Sequence, residues 1–266
     1  MRNYWSPTAS PTGWGFLIAV SLLFAANAAE AQSVKEILKK VDEVGHTDTA
    51  RMKMTQKVVT PGGDTRTFKM LSYSQNGTEK GLTVYVDPPQ VAGMKILTLN
   101  DGDDIWSYFP RTNRTRKIAS SARNRKVQGS DFSYDDMAGG KMAEKWKGKI
   151  LGSEELQGKD CFKLELRPTQ SGPKSYSKTI VWIVKSDYTT MRVKYYDLDG
   201  DEYKQLDIGE YKRFDIDKKK NVYVMIPYKY VMKNLTDGGK TMMKVAKAEV
   251  NVKLDSSLFT EAALSK

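Results

Sequence analysis

The sequence has very few of the side chains on which metal sites and most hydrolases depend. It contains one histidine, His46, and one cysteine, Cys161, in 266 residues. A single cysteine excludes an internal disulfide, and one histidine with one thiol cannot form the His/Cys clusters that hold structural zinc. We therefore expect no metal site, an exposed His46 just after a helix, and Cys161 as a half-buried strand residue.

Motifs for nucleotides and for activated nucleophiles are also missing. The chain has no G-x-x-x-x-G-K-[ST] loop, no G-x-G-x-x-G turn and no G-x-S-x-G elbow. A Ser-His-Asp triad would have to use His46. These absences predict a protein that is not an enzyme and that uses no cofactor.

Long apolar runs are absent except near the start of the chain. Arg2 precedes an apolar run over residues 15–26, and Ala29-Glu30-Ala31 has the small-x-small pattern of a cleavage site. The run is too short for a transmembrane helix of about 20 residues. We predict a secretory signal peptide over residues 1–31 and a soluble periplasmic chain from Gln32. An uncleaved N-terminal anchor is the alternative.

Positive charge dominates the composition. The 43 basic and 32 acidic residues give a net charge of +11. In a cytosolic protein this excess would suggest nucleic acid. Behind a secretion signal it instead favours anionic lipid head groups, lipopolysaccharide or an acidic protein partner, and a generally basic, soluble surface is the alternative. We expect transient contact with a membrane surface and no contact with nucleic acid.

The periodicity of the apolar residues changes once along the chain. Residues 32–44 have an apolar stripe with helical spacing, with Ser33 as a plausible N-cap. After that the alternation has period two, and the Asn76-Gly77 and Asp199-Gly200 pairs are typical of hairpin turns. Short helices are expected over residues 141–146 and 256–264. The strands are expected over residues 82–86, 94–100, 104–109, 161–166, 179–185, 191–197, 202–208, 222–227 and 241–254, after two alternating segments at 52–58 and 68–72.

Roughly ten strands without a βαβ rhythm predict a mainly β protein built on a single large antiparallel sheet. A sheet of this size must curl or split, because strand twist accumulates. No Pro/Ser linker or internal repeat is present, so residues 32–266 are predicted to form one domain.

Methionine and large aromatic residues are frequent on the predicted strands. Methionine is flexible and suits sites that accept variable apolar shapes. The same residues would serve an ordinary core, and both interpretations remain open from composition alone. As a hypothesis, the lining of an apolar cavity is assigned to Met52, Met54, Phe68, Met70, Val84, Trp106, Tyr108, Trp182, Met191 and Tyr195.

Two acidic clusters have competing interpretations. Asp131, Asp135 and Asp136 could act as paired carboxylates in glycoside hydrolysis, or they could cap a turn and pair with nearby arginines. Residues 197–202 faintly resemble a calcium loop, but the glycine is at the wrong position, so a hairpin turn explains them better.

The segment around these acids carries a resemblance. Trp106-x-Tyr108-x-Pro110-x-x-Asn113-Arg114-x-Arg116-Lys117-Ile118, followed by Gly129-Ser130-Asp131-Phe132-Ser133-Tyr134-Asp135-Asp136, resembles the outer-membrane lipoprotein-sorting protein family. The resemblance to this LolA-like group extends over nearly all of the predicted mature chain and is greatest for its divergent, larger branch.

The resemblance implies a half-open, unclosed β-barrel whose concave face is covered by a few helices. It also implies a periplasmic carrier that binds acyl chains of lipoproteins or lipids and transfers them toward the outer membrane without catalysis. The protein is expected to be a monomer, with an RND-type inner-membrane exporter or an outer-membrane acceptor as a possible partner. The alternatives are an adaptor of such an exporter with a solid core, and an envelope hydrolase.

The basic stretch beside the motif has a hypothetical role at the opening of the cavity. Under the carrier hypothesis, the rim that contacts a membrane or partner consists of Arg114, Arg116, Arg123 and Arg125. Their alternative role is to pair with Asp131, Asp135 and Asp136 and so hold the loop.

Overall fold

The first helix is fixed by its N-terminal turn. A computed structural model describes residues 32–266, and the predicted signal peptide lies outside them. Helix α1 spans Val34–Gly45, and its N-cap Ser33 forms a capping box with Glu36. The Glu36 amide donates to Ser33 Oγ at 3.3 Å, and the Ser33 amide donates to Glu36 Oε2 at 2.7 Å. The predicted helix and its cap are confirmed.

Fifteen antiparallel strands follow, interrupted by two short helices. Thirteen of them form one sheet in the order β6-β5-β4-β3-β2-β1-β15-β14-β11-β10-β9-β8-β7, and β12 and β13 form a separate hairpin. Strands β6 and β7 are the two free edges, so the sheet does not close into a barrel. The predicted fold class, mainly β with one large unclosed antiparallel sheet and few helices, is confirmed.

The bounds of the elements are as follows. The strands are β1 Thr49–Val59, β2 Thr65–Gln75, β3 Lys80–Asp87, β4 Lys95–Leu99, β5 Asp104–Phe109, β6 Arg114–Lys117, β7 Trp146–Leu156, β8 Lys159–Pro168, β9 Lys178–Val184, β10 Thr190–Tyr196, β11 Glu202–Gly209, β12 Lys212–Asp217, β13 Val222–Ile226, β14 Lys229–Asn234 and β15 Lys240–Val250. The short helices are α2 Tyr134–Ala138 and α3 Met142–Lys145. The predicted C-terminal helix is present as two 3-10 turns, Ser256–Phe259 and Glu261–Ala263.

One face of the sheet, called the inner face here, carries most of the apolar core. Helix α1 places Ile37 and Leu38 on β8–β11 and β14, where both are fully buried. A covering segment, residues 126–145, continues over the other half of this face through residues such as Val127 and Ala138. The β12–β13 hairpin covers the ends of β1 and β15. The inner face is therefore covered by three separate elements.

Helix α1 and the covering segment are joined by a carboxylate. Asp42 accepts hydrogen bonds from the amides of Met142 and Ala143 at 2.7 and 3.0 Å, at the N-terminus of α3. Burial raises the pKa of Asp42, although the two amide donors act in the opposite direction. The contact orients α3 against α1.

The opposite, outer face holds two smaller apolar clusters, because alternate residues of a strand point to opposite faces. One cluster contains Cys161 and Trp182 on β8 and β9. In the other, Phe259 and Leu264 of the C-terminal turns bury Leu82 and Leu97. Within residues 32–266, none of the helices combines the length and apolarity that crossing a bilayer requires.

The free edge at β7 is irregular. Its register against β8 shifts between Ile150 and Gly152, which leaves Leu151 as a bulge. Lys147 and Lys149 are exposed on the same strand. The other free edge, β6, is only four residues long and contains three basic residues.

Candidate functional site

The covering segment is anchored by a buried ion pair. Asp136 Oδ2 lies 2.5 Å from Lys204 Nζ of β11, and the two side chains are only 3% and 4% exposed. The same carboxylate accepts from Tyr176 Oη at 2.5 Å and from the Ser133 amide at 2.7 Å. Because its oxygens are all occupied by donors, Asp136 holds α2 on the sheet and is not free to act on a substrate.

Three tyrosine rings surround the Lys204 ammonium. Its Nζ lies 4.8 Å from the ring centroid of Tyr195, 4.9 Å from that of Tyr176 and 5.5 Å from that of Tyr203. The faces of these rings are attractive to a cation. Burial first, and the nearby Asp136 carboxylate second, raise the pKa of Tyr176, so its hydroxyl remains a proton donor.

The other two acids of the motif also bind neighbouring groups. Asp131 pairs with Lys126 at 3.1 Å and accepts from Thr241 Oγ1 of β15 at 2.7 Å. Asp135 lies 3.7 Å from Arg123 and accepts a hydrogen bond from Ser175. The sequence left open whether these carboxylates catalyse or hold the loop, and the geometry favours the second.

The four predicted rim arginines separate into two groups. Arg123 is directed into the loop, where its guanidinium also donates to the carbonyl oxygens of Gly102 and Asp103. Arg114 and Arg116 are exposed on the edge strand β6 and lie opposite Phe109 and Ser107, which places them on the inner side.

Arg125 is exposed as well. Among the described residues, none of Arg114, Arg116 and Arg125 has a carboxylate within ion-pair distance. The structure thus brings Arg114 and Arg116 to one edge and places Arg123 elsewhere. Their role at a rim stays a prediction.

A cavity opens at the edge formed by β5 and β6. Its volume is about 550 Å³. Its lining consists of Gln90, Val91, Met94, Phe109, Pro110, Arg111, Thr112, Arg116 and Gln128. We call this the edge cleft. It combines an apolar floor that continues into the inner-face core with two guanidinium groups, Arg111 and Arg116.

Two of the other cavities adjoin the inner face near α1 and α3. One, of about 520 Å³, lies between the end of α1, the sheet and the β12–β13 hairpin, and Met52, Met225 and Tyr230 contribute to its lining. The other, of about 240 Å³, lies beside α3 and is lined partly by Tyr195 and Val193. Small-molecule sites usually have volumes of roughly 300–1,000 Å³, so the edge cleft and the α1 cavity fall in that range.

The ten predicted lining residues do not share one face. Met52, Met54, Phe68, Met70 and Tyr195 belong to clusters of the inner face. Val84, Trp106 and Tyr108 lie on the outer face beneath the C-terminal turns, and Trp182 and Met191 belong to the other outer cluster.

A register shift explains one of these placements. Met191 would share the inner face with Val193 by simple alternation, but a bulge at Met191 between Thr190 and Arg192 turns it outward. Sequence reasoning missed Val91 and Phe109 of the edge cleft. The Pro88-Pro89 turn gives no local sign that Val91 packs against the cluster containing Met94, and alternation marks Phe109 only as the last residue of a strand.

The arrangement suits non-covalent binding of an amphiphile. The edge cleft offers apolar contact through Val91, Met94 and Phe109 and charge through Arg111 and Arg116. Guanidinium groups bind carboxylates and phosphates by paired hydrogen bonds. Met94 belongs to the apolar cluster of the inner face, and Val91 and Phe109 pack against it, so the floor of the cleft is continuous with the core.

Comparison with known proteins agrees with this fold. A model for a family described as an uncharacterized protein matches residues 77–266. No curated protein is significantly similar in sequence. A domain from Vibrio parahaemolyticus, named as an outer membrane lipoprotein-sorting protein, is 26% identical with a TM-score of 0.77, over 87% of this chain and 98% of its own.

Two more distant structures share the fold. A DUF1329 family protein from Desulfovibrio piger is 21% identical with a TM-score of 0.77, over 86% of this chain and 97% of its own. A LolA superfamily protein from Nitrosomonas europaea is 18% identical with a TM-score of 0.70, over 87% and 99%. The chain therefore belongs to the family whose model matches residues 77–266, and its fold is that of the solved LolA-like and lipoprotein-sorting proteins.

Proposed function

We propose that this protein is a periplasmic carrier that binds the acyl chains of lipoproteins or lipids and delivers them toward the outer membrane without catalysis. The observation that carries the proposal is an unclosed sheet whose apolar inner face opens at the edge cleft. The similarity in fold and sequence to the Vibrio parahaemolyticus lipoprotein-sorting domain supports the same assignment.

Burial of an acyl chain supplies enough free energy for such a carrier. Each buried CH₂ contributes about 0.8 kcal/mol. A chain of about fourteen carbons therefore gains roughly 10 kcal/mol, from which the cost of association is subtracted. No covalent step is needed, and cargo can be released when an acceptor offers an equally apolar surface.

The edge cleft is the proposed entry for the cargo. Val91, Met94 and Phe109 would contact the first part of an acyl chain, which would then pass over the inner face. Arg111 and Arg116 would stay near the polar end of the molecule. An outer-membrane acceptor or an RND-type inner-membrane exporter remains the expected partner, and a monomer remains the expected state.

The proposal is tested by the lipid content of the protein and by uptake of an acyl probe. We expect native mass spectrometry to detect co-purified acyl lipid and a fluorescent fatty acid to bind stoichiometrically. Val91→Trp, which fills the edge cleft, should weaken probe binding at least tenfold. Val86→Trp is the matched control, since Val86 is 44% exposed on β3 and does not line the cleft.

Two results would contradict the proposal. Purified protein with neither bound lipid nor probe uptake would reject the carrier function itself. Uptake that is equal in Val91→Trp and Val86→Trp would keep the carrier function but reject the edge cleft as its entry.

A further inference from the structure

The outer face of the central strands carries lysines in directly opposed positions. Lys53 of β1 is the cross-strand partner of Lys247 on β15. On the other side of β15, Lys244 lies opposite Lys229 of β14, and Lys240 lies opposite Lys233 of the same strand. Like charges that face each other across strands destabilise a sheet. Three such pairs on neighbouring strands therefore need an explanation outside folding.

Nearby carboxylates compensate only one member of each pair. Glu249 lies 3.0 Å from Lys247, Asp207 lies 3.1 Å from Lys233, and Glu210 lies 3.2 Å from Lys229. Over residues 32–266, no carboxylate comes within ion-pair distance of the other members, which are Lys53, Lys240 and Lys244.

One more lysine extends the surface. Lys57 lies four residues after Lys53 on the same face of β1 and is also exposed, without a carboxylate partner among the described residues. Lys53, Lys57, Lys240 and Lys244 therefore form a continuous group of uncompensated ammonium groups across β1 and β15. We call this group the lysine face.

The use of lysine instead of arginine indicates which kind of polyanion the lysine face would bind. Lysine ammonium groups are mobile point charges on long stems, whereas guanidinium groups form fixed forks that recognise one carboxylate or phosphate. Protein interfaces are depleted in lysine and enriched in tyrosine, tryptophan and arginine. Clustered lysines near a surface of anionic lipids each contribute about 1 kcal/mol without specific geometry.

We propose that the lysine face docks the protein on the surface of an anionic lipid bilayer. The bound partner is the layer of phosphate head groups, held by delocalised attraction. This surface is on the side of the sheet opposite α1 and the edge cleft, so docking requires no movement of the inner-face elements. The proposal is independent of any acyl cargo.

Vesicle co-sedimentation tests the docking surface. The probe consists of phosphatidylcholine vesicles with or without phosphatidylglycerol, and the face variant combines Lys53→Gln, Lys57→Gln, Lys240→Gln and Lys244→Gln. We expect the wild type to bind only the anionic vesicles, with affinity that falls as salt rises. At about fivefold per lysine, the face variant should bind them at least a hundredfold more weakly.

A matched variant separates the surface from the net charge. Lys35→Gln, Lys39→Gln, Lys218→Gln and Lys219→Gln remove four exposed lysines from α1 and from the turn after β12. This control should keep most of the vesicle binding. The face variant should also unfold at the same temperature as the wild type or higher, because opposed like charges have been removed.

Three outcomes would overturn the proposal. Equal losses in the two variants would mean that net charge alone attracts the vesicles. Absence of wild-type binding to anionic vesicles would remove the membrane as partner. Binding to soluble polyglutamate, but not to vesicles, would assign the lysine face to an acidic protein.

Discussion

At the scale of single residues, charge buried inside the protein is the feature that organises the site. Asp136 and Lys204 are almost completely removed from solvent, yet each is surrounded by groups that complement it. The motif that resembles the lipoprotein-sorting family is therefore an anchor for the covering segment. Its acids are specified by the contacts they make with β11, β15 and the 175–176 loop.

The first prediction concerns this ion pair. Asp136→Asn should lower the free energy of unfolding by about 3–5 kcal/mol, because it leaves the Lys204 ammonium buried without its counter-charge. Urea unfolding followed by circular dichroism measures the change. Glu43→Gln, which removes the exposed Lys40–Glu43 pair, is the control and should cost less than about 0.5 kcal/mol.

A double variant tests whether the two residues act together. Asp136→Asn combined with Lys204→Gln should cost less than the sum of the two single changes, because no unpaired charge remains. Strict additivity would mean that the two charges do not interact.

The second prediction concerns acid stability. Hydrogen bonds from Lys117 and Asn100 hold the pKa of Asp104 below its usual value. A lowered folded-state pKa contributes stability above the unfolded pKa of about 3.9, and this contribution is lost as pH falls through the folded pKa. Asp104→Asn should therefore be less stable than the wild type at neutral pH, and the difference should disappear in strong acid.

Unfolding titrations across this pH range provide the measurement. A stability difference that stays constant down to the lowest pH would show that the Asp104 charge is not its source.

At the scale of elements, the alternation of side chains determined what could be predicted. Strand β5 could be predicted from its alternating apolar residues, and the β2–β3 hairpin from the turn-forming pair Asn76-Gly77. Strands β6, β7, β12 and β14 were missed. In β7 every residue except Trp146 and Leu156 is exposed, so the strand has no apolar face to detect. Local sequence also gives no sign of the bulge that turns Met191 outward.

The third prediction concerns the packing of α1. Leu38→Ala should destabilise the protein by about 2–5 kcal/mol, because the side chain is fully buried against the sheet. Lys39→Ala, on the exposed side of the same helix, should have an effect near zero. Chemical denaturation of both variants checks the difference, and similar values would contradict the packing of α1 on the inner face.

At the scale of the whole molecule, the sheet is completed by its last strand. The first strand, β1, pairs with the last strand, β15, near the middle of the sheet, and Ala50 lies opposite Val250. The residues after β15 then cross to the outer face of β3–β5. Contacts of such large sequence separation favour slow folding, and they could not be read from local patterns.

The fourth prediction concerns this C-terminal segment. Deletion of residues 255–266 should expose Leu82 and Leu97, which Phe259 and Leu264 now bury. The shortened protein should bind the apolar dye ANS and aggregate at a lower temperature than the wild type. Deletion of Ser265 and Lys266 alone, both exposed, is the control. Unchanged dye binding after the longer deletion would contradict a covering role for the C-terminal turns.

An open sheet also presents two unpaired rows of backbone donors and acceptors, which are a template for fibril growth. The bulge at Leu151 with Lys147 and Lys149 interrupts one row, and three basic residues on the short β6 repel a copy at the other. The irregular edges thus allow the sheet to remain unclosed at high concentration without stacking strand on strand into polymers.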